Sequence, residues 1–153
     1  MLAMLAVGVF AYVLGGRALW IVPSSFVGMM LVGFLLGAAQ AEVPFVELGI
    51  VTSSIVIGAC AALGRPMPTF FAATLVAIFA LFHGVAHGSE MPVSATGASY
   101  ALGFMASTAA LHLSGIAAAF AANKIANRHG RPIAQMAGAV FALGGVGMLA
   151  GWL

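Results

Sequence analysis

Residues 69–92 read TFFAATLVAIFALFHGVAHGSEMP, an uncharged apolar run that ends in two histidines and a glutamate. The run is long enough to cross a bilayer, because a spanning helix needs about 20 mostly apolar residues. His83 and His87 are two of the four histidines in the chain, and Glu90 is one of its three acids. The stretch therefore predicts a membrane fold with a polar site near one end of a spanning helix.

The composition of the whole chain supports a membrane protein. It is 63% hydrophobic and 5% charged, whereas a soluble domain carries roughly 25% charged residues. So few charges cannot cover a water-facing surface, so lipid must be the solvent. Five basic residues against three acids are too few for a nucleic-acid footprint. One cysteine, Cys60, excludes an internal disulfide framework.

Apolar runs alternate with short polar breaks along the chain, and they predict an all-α, polytopic bundle of about six transmembrane helices. We place the helices at residues 2–14, 18–39, 45–63, 69–88, 95–122 and 132–153. Because every connection is short, neighbouring helices should be antiparallel and packed. The sequence therefore predicts a single transmembrane domain over residues 1–153 and no separate soluble domain.

The charged residues sort by the side of the membrane on which their loop falls. All basic residues lie at three alternate junctions: Arg17, Arg65, Lys124, Arg128 and Arg131. The acids lie at the other two: Glu42, Glu47 and Glu90. The positive-inside rule makes the basic side cytoplasmic. Both termini and the histidine end of the fourth helix are then predicted outside.

The first apolar segment is short. It offers about 13 residues before Gly15, or about 20 Å of helix, against a hydrocarbon core of about 30 Å. No charged leader precedes it. We therefore expect the natural protein to begin upstream of Met1, with a truncated first helix in this chain. A short or tilted first helix is the alternative.

Glycines spaced by four predict close contacts between helices. Small residues at that spacing let helix backbones approach where lipid gives no hydrophobic drive for association. Three such pairs occur: Gly33 with Gly37, Gly84 with Gly88, and Gly147 with Gly151. The second pair should bring another helix close to the two histidines.

His83, His87 and Glu90 share one face if the helix continues through all three. At 100° per residue they fall within a sector of about 60°. Imidazoles four apart on a helix are able to share one metal ion. However, Met91 precedes Pro92, and a residue before proline avoids the α region. The helix is then expected to stop near Gly88, with Glu90 on the loop just outside.

His112 lies deep inside the fifth segment, where ionisable groups are costly and usually face the bundle interior. On the predicted topology the polar groups descend in steps from His87 through His83 to His112. These polar groups would line a route through the bundle. On the third segment, Glu47, Ser54 and Cys60 are weaker candidates for lining the rest of that route. Glu47 is explained equally well by its place near a helix N-terminus, where the dipole favours an acid.

Purely structural roles are the alternative to metal binding for several of these residues. A single buried histidine such as His112 is more often a hydrogen-bonded pin between helices than a ligand. His129 lies in the basic loop and is expected to be solvated. Met29 and Met30 are adjacent, so they point to different faces and form a poor soft-metal site.

Four stretches resemble the HupE/UreJ family, small bacterial membrane proteins associated with hydrogenase and urease gene clusters. They are MLAMLAVGVFAYVLGGRALW (1–20), PFVELGI (44–50), FALFHGVAHGSEMP (79–92) and YALGFMASTAALHLSGI (100–116). The family is regarded as secondary permeases for nickel and, in some members, cobalt. The resemblance implies that His83, His87 and Glu90 belong to the metal path, and His112 matches the histidine of the family's LHLxG-like stretch.

One family motif is missing. The first helix of such proteins carries a histidine followed, about two turns later, by an Asp-His pair directly before a stretch like LLAMLAVG. This chain starts at MLAMLAVG, immediately after the expected place of that pair. Either the start is truncated or the motif has been lost, and the short first segment favours truncation.

The sequence thus predicts a non-enzymatic permease of the bacterial inner membrane. It would take up Ni²⁺ or Co²⁺ as substrate, without a resident cofactor, for hydrogenase or urease maturation. Histidine ligands must be neutral, so uptake should weaken as the pH falls through about 6.5. The alternatives are a haem or redox protein that uses His83 and His112, and an accessory factor that assists metalloenzyme assembly without transport. The protein is compatible with a homo-oligomer. The residues do not predict the choice between nickel and cobalt, the energy source or the packing order of the helices.

Overall fold

A computed structural model describes residues 1–92, 96–126 and 130–152, and these parts contain six α-helices and no strand. The helices are α1 (Leu2–Leu14), α2 (Ala18–Ala38), α3 (Val46–Leu63), α4 (Thr69–Ser89), α5 (Gly97–Ile125) and α6 (Gly130–Leu149). Five of them, α2 to α6, are long and apolar enough to cross a membrane, while α1 is a shorter apolar helix. The predicted polytopic all-α bundle is confirmed.

The predicted helix bounds hold to within one residue for α1 to α4 and differ by two to four residues at α5 and α6. α5 continues to Ile125, three residues beyond the predicted end. α6 ends at Leu149 rather than at the chain terminus. Gly151 has a φ of 72° there, and the Trp152 and Gly151 amides donate to the Gly147 and Met148 carbonyls. This is the double hydrogen bond of a Schellman motif, in which a glycine ends the helix.

α1 lies at the centre of the bundle. It packs against α2, α3, α5 and α6, and every residue from Ala6 to Ala11 is buried. A helix that is apolar on all sides is either enclosed by protein or exposed to lipid, and α1 is enclosed. The short first segment is therefore the core around which α2, α3, α5 and α6 pack.

The glycine pair on α4 brings that helix against α2, as predicted. A Cβ on Gly84 would overlap the carbonyl oxygen of Met30, and a Cβ on Gly88 would overlap that of Phe34. The contact is reciprocal, because a Cβ on Gly33 or Gly37 would overlap carbonyl oxygens of α4. α2 and α4 run parallel at this contact, which is the most extensive helix pair in the described residues.

Two further helix pairs use glycines that are not spaced by four. Gly8 of α1 meets the backbone of α5 beside His112, and Gly115 of α5 meets α1 in return. Gly58 of α3 and Gly138 of α6 meet in the same way. By contrast, no atom in the described part of the chain lies within 4 Å of the position that a Cβ on Gly151 would take. Gly151 therefore ends a helix and does not form a contact between helices.

The basic residues in the described regions lie at one set of junctions. Arg17 directly precedes α2, Arg65 follows α3, and Lys124 is in the last turn of α5. Arg131 lies in α6, and its Nη2 donates to the carbonyl of Gly64 at 3.1 Å. The predicted sorting of charge therefore corresponds to one end of the bundle, here called the basic end. Arg128 and His129 lie outside the described residues.

We predict that Gly33→Ala destabilises the protein because its methyl group would force α2 away from the backbone of α4. Overpacking of this kind costs about 1–3 kcal/mol. Thermal unfolding in detergent, followed by loss of the monodisperse elution peak, should show a clear drop in melting temperature.

Gly28→Ala is the matched control. Gly28 lies on the same helix, and no atom of another described helix lies within 4 Å of the position that an alanine Cβ would take there. It should leave the melting temperature unchanged or slightly raised. Equal effects of the two substitutions would contradict the close α2–α4 contact.

Candidate functional site

The predicted site residues lie along one interface between helices. α2 packs against both α4 and α5, whereas the backbones of α4 and α5 approach each other less closely in the described residues. His83 and His87 are on α4, and His112 is on α5. The face of α2 toward them carries Phe26, Met30 and Phe34, each four residues apart and each buried. Side chains of all three helices therefore meet along this face.

His87 lies at the end of this interface far from the basic end and is half-buried. Its ring stacks on Phe104 of α5, with centroids 4.8 Å apart and planes 3° apart. Phe104 in turn contacts Phe34 of α2 at 5.1 Å, and Tyr100 lies against His87 at 6.4 Å. The stack fixes the plane of the His87 ring while leaving part of the side chain accessible.

His83 lies one turn further in and is only 5% exposed. Its Nε2 is 3.0 Å from the hydroxyl of Ser53 on α3, and that hydroxyl donates to the carbonyl of Ile50. A serine hydroxyl has a single hydrogen, so with that hydrogen on the Ile50 carbonyl the consistent tautomer is the one in which Nε2 carries the imidazole hydrogen and donates to Ser53. The Nδ1 lone pair is then the one available for a ligand.

Met30 of α2 and Thr108 of α5 contact each other. Thr108 lies between Phe104, on which His87 stacks, and His112 along α5. The Thr108 hydroxyl lies 3.8 Å from the Met30 sulfur, as its hydrogen-bond donor. Both residues are buried. Phe26 and His112 lie one turn beyond them toward the basic end, so the order from His87 to His112 along this interface runs toward the basic end.

His112 is 1% exposed, and neither of its ring nitrogens has a hydrogen-bond partner. The expected interhelical pin is therefore not formed within the described residues. The Phe26 ring is nearly perpendicular to that of His112, with centroids 5.1 Å apart, and its centroid lies 5.5 Å from that of His83. Phe26 is thus the side chain that the two buried imidazoles share.

A cleft of about 410 Å³ runs along α2 and α5 beside His112. Its walls include Pro23 inside α2 and Ser24, and it opens among Trp20 and Leu113, which are 70% and 54% exposed. Proline inside a helix lacks the amide hydrogen that would continue the backbone ladder. The helix is therefore locally weakened next to the unpartnered histidine.

Glu90 is exposed and follows the last residue of α4 as its C-cap. The helix ends at Ser89, so the expected position of Glu90 on the loop just beyond the helix is observed. Within the described residues no three His, Cys, Asp or Glu side chains form a group that could hold a metal ion. His83 and His87 therefore follow each other along α4, with Glu90 just beyond its end, and the three do not gather around one point.

The third segment contributes a residue that sequence reasoning missed. Ser53 contacts His83, whereas the predicted path residue was its neighbour Ser54, which is also buried. Glu47 is exposed in the first turn of α3, where a helix dipole favours an acid. Cys60 is a half-buried free thiol. The pair Ser53-Ser54 was the available signal, but it does not reveal which hydroxyl faces α4.

Taken together, these side chains offer nitrogen ligands in a low-dielectric interior. Imidazole binds nickel, cobalt, zinc and copper, and a ligating histidine usually donates its other ring N–H to an oxygen acceptor. His83 has that arrangement through Ser53. His112 has two nitrogens free for a new partner.

Comparison with known proteins agrees with the motifs. Residues 1–148 match the family described as HupE / UreJ protein. The chain is 41% identical over 150 residues to Protein HupE of Rhizobium leguminosarum bv. viciae, which covers 98% of this chain and 77% of that relative. No solved structure shows a significant match. The chain belongs to the HupE/UreJ family.

Proposed function

We propose that the protein is a permease that takes up Ni²⁺ or Co²⁺ through a path lined by His83, His87, Glu90 and His112. The transported metal would serve hydrogenase or urease maturation, as the resemblance to the HupE/UreJ family implies. The observation that carries the proposal is the buried His112 imidazole with both nitrogens unpartnered.

An unpartnered buried imidazole is costly. Leaving a buried polar group without a hydrogen bond costs about 1–3 kcal/mol. Ionisable residues inside membrane segments are accordingly rare, and they mark ion or substrate pathways. A histidine that served only to join helices would have a partner. A metal ion that arrives at His112 would supply the missing interaction.

The order of the side chains suggests how an ion would move. Glu90 is exposed at the end of α4 and offers a negative charge that attracts a cation from water. His87 follows at a half-buried position, and His83 lies about 6 Å further in, at one turn of helix. Each step exchanges a water ligand for an imidazole while the ion enters a drier environment.

The ligand types suit a transporter better than a storage site. Transport needs binding that is favourable enough to admit the ion but weak enough to release it. Imidazole and carboxylate meet this need, whereas thiolates would hold soft metals tightly. Intrinsic affinity alone would favour Cu²⁺ over Ni²⁺, so selectivity must come from geometry and metal availability.

We expect the double variant His83→Ala, His87→Ala to lose most of its nickel uptake, because two successive ligands of the path would be gone. Accumulation of radioactive nickel in cells that express equal amounts of folded protein measures this. Ser89→Ala is the matched control, since its exposed hydroxyl donates to the Ala86 carbonyl of its own helix and to no other helix in the part of the chain that the structure describes. It should take up nickel like the unaltered protein.

Full uptake by the double variant would overturn the histidine path. If neither the unaltered chain nor a version extended upstream of Met1 moves nickel or cobalt, but both bind metal, the accessory-factor alternative is favoured instead.

We expect Ser53→Ala to weaken metal binding without unfolding the bundle. The His83 ring would lose the acceptor that orients it, and loss of such partners typically costs about 10–100-fold in metal affinity. Equilibrium binding of Ni²⁺ to purified protein measures the change. Ser54→Ala is the neighbouring control, and an equal effect of both substitutions would argue against specific orientation by Ser53.

The haem alternative predicts a coloured protein. His83 and His112 would be the axial ligands, yet the buried Phe26 ring contacts both of them, so this arrangement supports a haem between them less well. Absorption spectra of purified protein, with and without added haemin, test this. A strong Soret band lost in His112→Leu would favour the haem protein over the permease.

A further inference from the structure

We propose that Phe26 is the barrier between His83 and His112, so that a metal ion passes from one imidazole to the other only when the Phe26 ring moves aside. The inference deepens the proposed transport function and rests on it. It assigns a role to a residue that carries no ligand atom.

The contacts of Phe26 place its ring at the transfer step. The side chain is fully buried. Its centroid lies 5.5 Å from that of His83, at a tilt of 48°, and 5.1 Å from that of His112, in an edge-to-face contact of 89°. A phenyl ring offers no donor or acceptor atom to a hydrated cation, and hydrophobic constrictions are able to gate ion paths.

The helix arrangement makes this contact difficult to bypass. His83 is on α4 and His112 is on α5, and in the described residues the backbones of these two helices approach each other less closely than either approaches α2. α2 packs against both of them. A direct transfer from His83 to His112 therefore follows the face of α2, where Phe26 occupies the position next to both rings.

A barrier at this point also has a physical purpose. An open polar route through the bundle would let protons and other cations leak across the membrane. With Phe26 in place, the ion is held on the His83 side or on the His112 side, and it occupies each in turn. Pro23, three residues before Phe26, lacks the amide hydrogen that would bond to the carbonyl of Leu19, so α2 is weakened in the turn that precedes the ring.

Thiol accessibility tests the barrier without relying on transport. In a Cys60→Ala background, His112→Cys provides the only thiol, and a charged, membrane-impermeant thiol reagent is added to sealed vesicles from the His87 side. We expect slow labelling with Phe26 present and labelling on the order of tenfold faster with Phe26→Ala, because removal of the ring opens the constriction.

Phe70→Ala is the matched control, since Phe70 is 74% exposed on the outer surface of α4. It should leave the labelling rate unchanged. If Phe26→Ala does not elute as a folded species, Phe26→Leu should label faster and Phe26→Trp should label more slowly than the unaltered ring. Equal rates for all folded variants would overturn the barrier.

A flux measurement on the same variants, in the otherwise unaltered sequence, separates the two proposals. Ni²⁺ and Mn²⁺ entry into proteoliposomes is followed with a trapped metal-sensitive dye. We expect Phe26→Ala to admit Mn²⁺ that the unaltered protein excludes. If the protein carries nickel, but Phe26 substitutions change neither the flux nor the labelling rate, the barrier is rejected and the transport function is not. Absence of nickel flux, with the labelling contrast retained, rejects the transport function and the passage of metal past Phe26, and it supports only a steric block by Phe26 on access to position 112.

Discussion

α2 and α4 pack so closely that the carbonyl oxygens of each helix occupy space that a Cβ on the other would need. Gly33 and Gly37 on one side and Gly84 and Gly88 on the other make this approach possible. In a membrane, where lipid is as apolar as the side chains, such backbone contact is a main source of helix association. The glycines on α4 alternate with His83 and His87, so the contact that joins the helices also sets the positions of both histidines.

The same contact turns the aromatic face of α2 toward the polar groups. Phe34 then lies beside the His87–Phe104 stack, and Phe26 lies against His83 and His112. Polar nitrogen atoms are thereby embedded among rings that cannot hydrogen-bond with them. Ser53 satisfies one imidazole, but His112 has no partner in the described residues. An interior with an unmet polar group is poised to receive a cation, and this is the physical basis of the proposed path.

Much of the fold could be predicted from the sequence because lipid imposes a length on apolar segments. Six runs gave six helices, and the alternation of charge predicted which junctions lie together. The end of α6 was misjudged, although Gly151 was a readable C-terminal signal. α1 was expected to be incomplete, and its burial from Ala6 to Ala11 as the central helix follows from packing, which hydropathy does not describe.

The site was only partly predictable. Histidines and Glu90 stand out in a chain with so few ionisable residues, and spacing by four places His83 and His87 on one face. Ser53 could not be chosen over Ser54, because neighbours on a helix differ by 100° and the partner helix was unknown. Phe26 carries no signal in a chain rich in phenylalanine. Gly8 and Gly115 are single glycines whose pairing appears only when α1 and α5 are packed together.

The most direct test of the central claim is X-ray absorption spectroscopy at the nickel edge on purified protein loaded with Ni²⁺. The account predicts a spectrum with imidazole scattering that weakens in His83→Ala and in His112→Leu. The reason is that the ion is bound at His83 in some of the protein molecules and at His112 in others. A spectrum of oxygen ligands alone, unchanged by these substitutions, would contradict a path in which buried histidines carry the metal.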